Sequence, residues 1–338
     1  MRVKKWACLG LVAMTCAIAA PLWGQSAPLE EKQKAVMVVD IRMDQIRDSD
    51  VAKAADLQDQ ITQSVTGGDE DKMDPTKMDR IFAALSAPEN MEQAQAFAMN
   101  EVPIEFFVQF KFKDGESATQ AMNKLLEKNP PRVDIEGKTF YESPDDGKTP
   151  KGLLLHQEDE TTIEMGTRTY ILHPNREVFT SGLVSALNTM PADASVKVAL
   201  DTESAGPFLQ EAAQFGKSGN PATDAYLDLI DNVKNLRISM DFSGDHLLTI
   251  QATGVDEDEA EEFRSGLDSL LGTAKMFVGM QANSLKEQQP EVAAVLQEVL
   301  DSMIAVADGT EVSVKIVKPA KLDEAIKTMK EVVPMGAP

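Results

Sequence analysis

A three-part pattern, repeated along the chain, limits the fold more than any other feature. A stretch of alternating apolar and polar residues is followed by an acidic or Ser/Thr-rich corner, then by apolar residues three and four positions apart. It occurs at 104–127, 196–215, 247–271 and 312–333, with a less regular instance at 36–65. Alternation sends successive side chains to opposite faces of a strand, whereas spacing of three and four lines one side of a helix. A chain built this way must cover sheet with helix. The clearest strand is 104–113, where Ile104, Phe106, Val108, Phe110 and Phe112 share one face and Glu105, Gln109, Lys111 and Lys113 the other. Phe107 falls on the polar face, which implies that a helix or loop partly covers that side too.

The remaining elements follow the same logic. Residues 36–41 read as a buried strand, and Val51, Ala54, Leu57, Ile61 and Val65 as a helix; 66–75, with Gly67, Gly68 and four acidic residues, reads as a loop. Met78, Ile81, Phe82 and Leu85 have the spacing of a short helix. Between 132 and 172 several short strands are expected, with turns at Glu136-Gly137, 143–151 and Met165-Gly166, an arrangement that makes neighbours antiparallel. Phe179, Leu183, Val184 and Leu187 mark a helix that ends near Met190-Pro191.

Further on, Val196, Val198 and Leu200 predict a strand, Ala205, Phe208, Leu209 and Ala212 a helix, 216–223 a loop, and Tyr226, Leu229, Ile230 and Val233 another helix. Leu236, Ile238, Met240 and Phe242 alternate into a turn at 243–246 and return through Leu248, Ile250 and Ala252 as a hairpin. Two amphipathic helices follow, one through Ala260, Phe263, Leu267 and Leu271, the other from Val292 to Ile304. A strand through Val312, Val314 and Ile316 and a helix through Leu322, Ile326, Met329 and Val333 close the chain.

The expected class is α+β: antiparallel or mixed sheets with amphipathic helices packed on one face. The segment 189–195 is the expected boundary between an N-terminal half at 25–190 and a C-terminal half at 191–338, and the pattern leaves open whether the halves are related.

Residues 1–24 have the layout of a cleaved secretory signal. Arg2, Lys4 and Lys5 precede an uncharged apolar run from Trp6 to Ala20, and Pro21 and Gly24 follow. The run is shorter than the ~20 residues a spanning helix needs. Cleavage is expected after Gly24, and neither Cys8 nor Cys16 stands where a lipid-modified cysteine would. Both cysteines lie in this segment, so the exported chain is free of cysteine and has neither disulfides nor thiolate metal sites. Stability then rests on the core, for which 43% hydrophobic residues in a chain of 338 suffice. The expected location is periplasmic or secreted.

The formal charge of −22 becomes three units more negative once the signal is removed. With Lys and Arg scattered singly, the chain lacks the positive footprint that nucleic acids or anionic lipid require. No segment after the signal is long and apolar enough to predict a membrane span.

No constellation predicts catalytic, cofactor or metal residues. His156 closes an apolar strand, His173 precedes Pro174 and His246 sits in the hairpin turn, so none has a second histidine at metal-binding spacing. Nucleophile elbows, S-x-x-K dyads and phosphate loops are missing, and Ser181-Gly182 lies in a helical pattern. Asp69, Glu70, Asp71 and Asp74, and the run 256–262, lack the alternation of a calcium loop; the second reads better as a helix start. All but two of the 17 methionines lie beyond the signal, with Met276 and Met280 one turn apart, and they read as core filler. Asp256, with Glu259 three residues on, has the spacing of a reciprocal helix cap.

The strand at 36–41 with Asp40 near its end, the strand-to-helix passage at 106–126, Gly137-Lys138-Thr139-Phe140-Tyr141, residues 168–171 leading into a helix, and the hairpin-helix at 236–271 together resemble a family of uncharacterised exported bacterial proteins built of strand-helix modules. The resemblance spans most of the exported chain and implies no activity or site residue. The expected role is a non-catalytic binding or envelope-associated protein whose partner is a protein or envelope component. An apolar-ligand carrier, suggested by the Phe106-Phe110-Phe112 stripe, and an enzyme with a dispersed site are the alternatives.

Overall fold

The computed structural model describes residues 35–57, 74–86, 105–127, 130–142, 153–172, 176–206 and 232–332. The expected signal, the loop residues 66–73, His173, the helix expected from Phe208 and that from Tyr226 to Ile230 lie outside them.

The chain opens with β1 (Ala35–Arg42), α1 (Met43–Asp48), α2 (Asp50–Ala54), β2 (Met78–Ser86) and β3 (Glu105–Phe112). Helix α3 (Gly115–Leu126) leads to β4 (Arg132–Ile135), β5 (Lys138–Glu142), β6 (Leu153–Gln157) and β7 (Thr162–Thr167), then to α4 (Arg168–Leu172) and α5 (Arg176–Thr189). After them come β8 (Val196–Asp201), β9 (Val233–Met240), β10 (His246–Gly254), α6 (Glu257–Leu285) and α7 (Pro290–Ser302). Strands β11 (Ala305–Asp308) and β12 (Glu311–Val317) precede the last helix, α8 (Leu322–Val332).

The fold is α+β, and its strands form one 12-stranded sheet in the order β11-β12-β10-β9-β8-β1-β2-β3-β7-β6-β5-β4. Every described pairing is antiparallel. The sheet runs unbroken across the 189–195 segment because β8 pairs with β1. The Ser49 hydroxyl adds a buried bond to the carbonyl of Phe242, tying the corner between α1 and α2 to the β9–β10 hairpin.

The acidic corners prove to be helix caps. Asp114, two residues beyond β3, accepts from the backbone N–H of Ser117 at 2.7 Å. Asp256, two beyond β10, does the same for Glu259 at 2.9 Å, and Asp201, the last residue of β8, for Ser204 at 3.0 Å. Each satisfies a donor that the first helical turn would otherwise leave free. The Asp256 cap is not reciprocal, however: Glu259 Oε2 is buried without a hydrogen-bond partner.

Helices cover both faces, not one as the pattern suggests. The larger core places Val39, Ile41, Ile81, Phe110 and Ile163 against α1, α2, α3, α7 and α8. On the opposite face Val38, Ala84, Phe107, Leu154 and Ala199 pack against Tyr170 and Ile171 of α4 and Leu183 and Leu187 of α5. Phe107, the residue out of pattern, stacks on Tyr170 with ring centroids 5.9 Å apart. Helix α6 covers the far end of the first face, where Ala260, Phe263 and Leu267 meet Ala252 and Val312.

Four local expectations are corrected. The segment through Met78, Ile81, Phe82 and Leu85 is strand β2, flanked by β1 and β3, because sheet pairing on both sides outweighs a four-residue helical spacing. Val233 opens β9 and does not end a helix. Ile304 lies beyond the end of α7, and the short strand β11 follows directly. Met165-Gly166 is not a turn but lies within β7, toward its end. A Cβ on Gly166 would stand 2.4 Å from the Phe106 carbonyl oxygen, so the glycine permits close backbone approach. The turn at Glu136-Gly137 is as expected, with φ of 51° and 81°, the double positive that a two-residue hairpin loop requires.

Candidate functional site

A row of directly paired residues crosses the sheet at right angles to its strands on the α4/α5 face. It starts at His156 on β6 and passes through Glu164, Gln109, Phe82, Asp40 and Lys197 to Ser239, Thr249 and Lys315 on β12. Its middle is polar and buried: Glu164, Asp40, Lys197 and Ser239 are all nine-tenths covered or more. Buried polar groups cost free energy unless they are paired, so the partners of each decide what the row does.

Most of the row is satisfied. Gln109 Nε2 donates to Glu164 Oε1 at 3.1 Å. His156 Nδ1 lies 2.8 Å from the Thr139 carbonyl and Nε2 3.2 Å from Glu158, so both ring nitrogens face acceptors. Asp40 receives two bonds from one guanidinium, Arg80 Nε at 2.5 Å and Nη2 at 3.1 Å, the fork geometry that gives the strongest carboxylate pairs. Arg80 also lies over the Phe82 ring, 5.7 Å from its centroid.

Lys197 is the exception. It stands directly opposite Asp40 in the β1–β8 pairing, yet makes no hydrogen bond or ion pair with any described residue. Burial pushes its amine below the ordinary lysine value; the Asp40 and Asp193 carboxylates oppose that shift, and the Arg42 and Arg80 guanidinia reinforce it. Arg42, at the end of β1, has a single 3.3 Å contact with Asp44. Its backbone N–H donates to the carbonyl of Ser195, whose hydroxyl is fully buried and without a hydrogen-bond partner. Ser195 lies in the bend just before β8, two residues ahead of Lys197. The β1, β2 and β8 strands thus gather three cations and one bidentate pair, with an unused hydroxyl in the bend before β8.

None of these residues stands out by motif. A signal is present all the same: Asp40 and Lys197 are charges inside apolar runs, Val38-Val39-Asp40-Ile41 and Val196-Lys197-Val198, where a strand covered on both faces is expected to be apolar throughout.

The candidates that the sequence offers fall elsewhere. His246 is exposed at the start of β10, Asp74 bonds Thr76, and within the run 256–262 Asp256 caps α6 while Glu261 pairs with Arg264 at 2.6 Å. Met276 and Met280 are not core filler: with Phe277 they are more than half exposed on α6. Phe110 and Phe112 are closely packed in the main core. A half-open groove of about 340 Å³ lies between α7 and α8, lined by Gln289, Val292, Lys321 and Glu324 among others. Among the described residues no helix is long and apolar enough to cross a membrane.

No family model matches the chain, and no curated protein matches it. Among solved structures, crystal form III of TP0453 is similar over 88% of this chain and 95% of that one, at 9% identity and a TM-score of 0.41. Crystal form IV of TP0453 is similar over 89% and 93%, at 8% identity and a TM-score of 0.40. At such scores no property passes from those structures to this chain.

Proposed function

We propose that this protein is exported to the cell envelope and works there by binding, not by catalysis, through the polar sheet face formed by β1, β2 and β8. Export rests on the charge, apolar run and small residues of 1–24. The observation that carries the binding role is Lys197, a covered cation that no described residue pairs with, beside Arg42 and Arg80. The stem of Lys197 is covered while its ammonium keeps access to solvent, so an anionic partner can reach the charge and offset the partial desolvation.

A nucleophilic enzyme would need its nucleophile within hydrogen-bond reach of a base. Ser195 and Lys197 are not so joined, and His156 is engaged with Thr139 and Glu158. The apolar-carrier alternative draws on the phenylalanine stripe, of which Phe110 and Phe112 already fill the core.

Affinity purification of the tagged protein from its own envelope tests this reading, with Arg42→Glu/Lys197→Glu as the control. A component retained by the wild type and lost from the variant supports it. A component retained equally by both would move binding off this face, and turnover of ester or phosphodiester substrates by the wild type but not by Ser195→Ala would replace binding with catalysis.

A further inference from the structure

We propose that Lys197, Arg42 and Arg80, with the Ser195 hydroxyl, form a binding site for a small oxyanion, a phosphate or a carboxylate. The inference rests on the binding role given above to this face and names the chemistry it recognises.

Three independent features converge. Lys197 is nine-tenths covered and makes no hydrogen bond or ion pair with a described residue, although Asp40 is its direct cross-strand neighbour. The carboxylate of Asp40 is instead committed to both arms of Arg80. The Ser195 hydroxyl, in the bend that leads into β8, is sealed from solvent with no partner, while the Lys197 ammonium is not sealed. Arg42, paired through its backbone with Ser195, keeps most of its guanidinium donors free beyond the 3.3 Å contact with Asp44.

The charge balance fits an anion. Asp40 and Asp44 offset two of the three cations, Arg42, Arg80 and Lys197, and the other nearby carboxylate, Asp193, is exposed and outside the bonded cluster. The Lys197 ammonium, close enough to Arg42 and Arg80 to feel both guanidinia, adds a third cation to the cluster, the charge that an oxyanion complements, although Asp44 Oδ1 beside Arg42 is a buried acceptor without a partner. A metal cation finds no such complement here. Desolvation already depresses the Lys197 amine, and an anion seated beside it would reverse that shift, so binding and protonation of Lys197 favour each other.

The test uses the full exported chain at constant ionic strength, with potassium chloride exchanged for potassium phosphate in one series and potassium acetate in another. The expected result is a rise in Tm with phosphate or acetate that chloride does not produce, because a ligand that binds only the native state stabilises it. Lys197→Met, whose apolar stem fits the same space, should weaken the apparent affinity roughly tenfold, as loss of one charge-assisted bond predicts, and Lys197→Arg should restore it. Response to phosphate alone assigns a phosphoryl group, response to acetate alone a carboxylate, and response to both the shared oxyanion chemistry. No rise above chloride in the wild type, or an equal rise in Lys197→Met, overturns the proposal. An envelope partner that is lost from the Arg42→Glu/Lys197→Glu variant while the wild type ignores both anions would defeat the oxyanion site and leave the binding role standing.

Discussion

Asp40 and Lys197 face each other across β1 and β8 as direct pairing partners of opposite charge, and they do not bond: Asp40 turns to Arg80 on the other side, and Lys197 has no hydrogen-bond or ion-pair partner among the described residues. A strand pair that could have closed a cross-strand ion pair has split it, leaving Lys197 close to the Arg42 and Arg80 guanidinia.

This split gives stability a pH dependence of known sign. The folded-state value of Lys197 lies below its ordinary 10.5, so folding is penalised while the amine is charged in the unfolded chain and discouraged from charge in the native one. The penalty is full below the folded value and fades as pH rises toward 10.5. Lys197→Met should therefore be modestly more stable than the wild type at neutral pH, the gain being reduced by the solvent that reaches the ammonium. The advantage should shrink by pH 10.5, and urea unfolding at both pH values measures it. Equal stability at neutral pH would show that the charge is well solvated.

The corner aspartates should behave as caps. Asp256→Ala is expected to cost about 1 kcal/mol, read from the urea midpoint, whereas Glu259→Gln should cost little because Glu259 makes no return bond. Asp114 adds a pH signature. The Ser117 backbone N–H holds its carboxyl below the ordinary 3.8. Its stabilisation is present above that value and is lost as pH falls through the lower folded value. Asp114→Asn should flatten the acid limb of a Tm-against-pH curve below about pH 4.

Gly166→Ala should destabilise by about 3 kcal/mol, since the new methyl would meet backbone atoms of Phe106 and Phe107 and neither can rotate away. If Gly166 were a turn residue of ordinary φ, alanine would be tolerated. Chemical denaturation separates the two outcomes.

Phe107→Ala and Phe110→Ala, on one strand but on opposite faces of the sheet, should each cost about 3–5 kcal/mol because each ring sits in a filled core. A loss near zero for Phe107 would mean that α4 and α5 do not hold the second face closed in solution.

The strands and helices with long, regular patterns are legible in the sequence by itself: β3 with its Phe106-Phe110-Phe112 alternation, the β9–β10 hairpin, α6 with its Asp256 cap, and the α+β class that they imply. These depend on the period of side chains along the backbone and on the first-turn donors of a helix, both of which are local. Tertiary structure decided the rest. Residues 78–86 became strand because β1 and β3 were waiting on either side, Gly166 was kept small by a carbonyl sixty residues nearer the N-terminus, and α4 and α5 closed the second face at which Phe107 alone hints. The candidate site belongs wholly to this second group. Asp40, Arg80 and Lys197 meet only because β1 pairs with β2 on one side and β8 on the other, and register between strands far apart in sequence is fixed by the packing of both sheet faces, which no local pattern records.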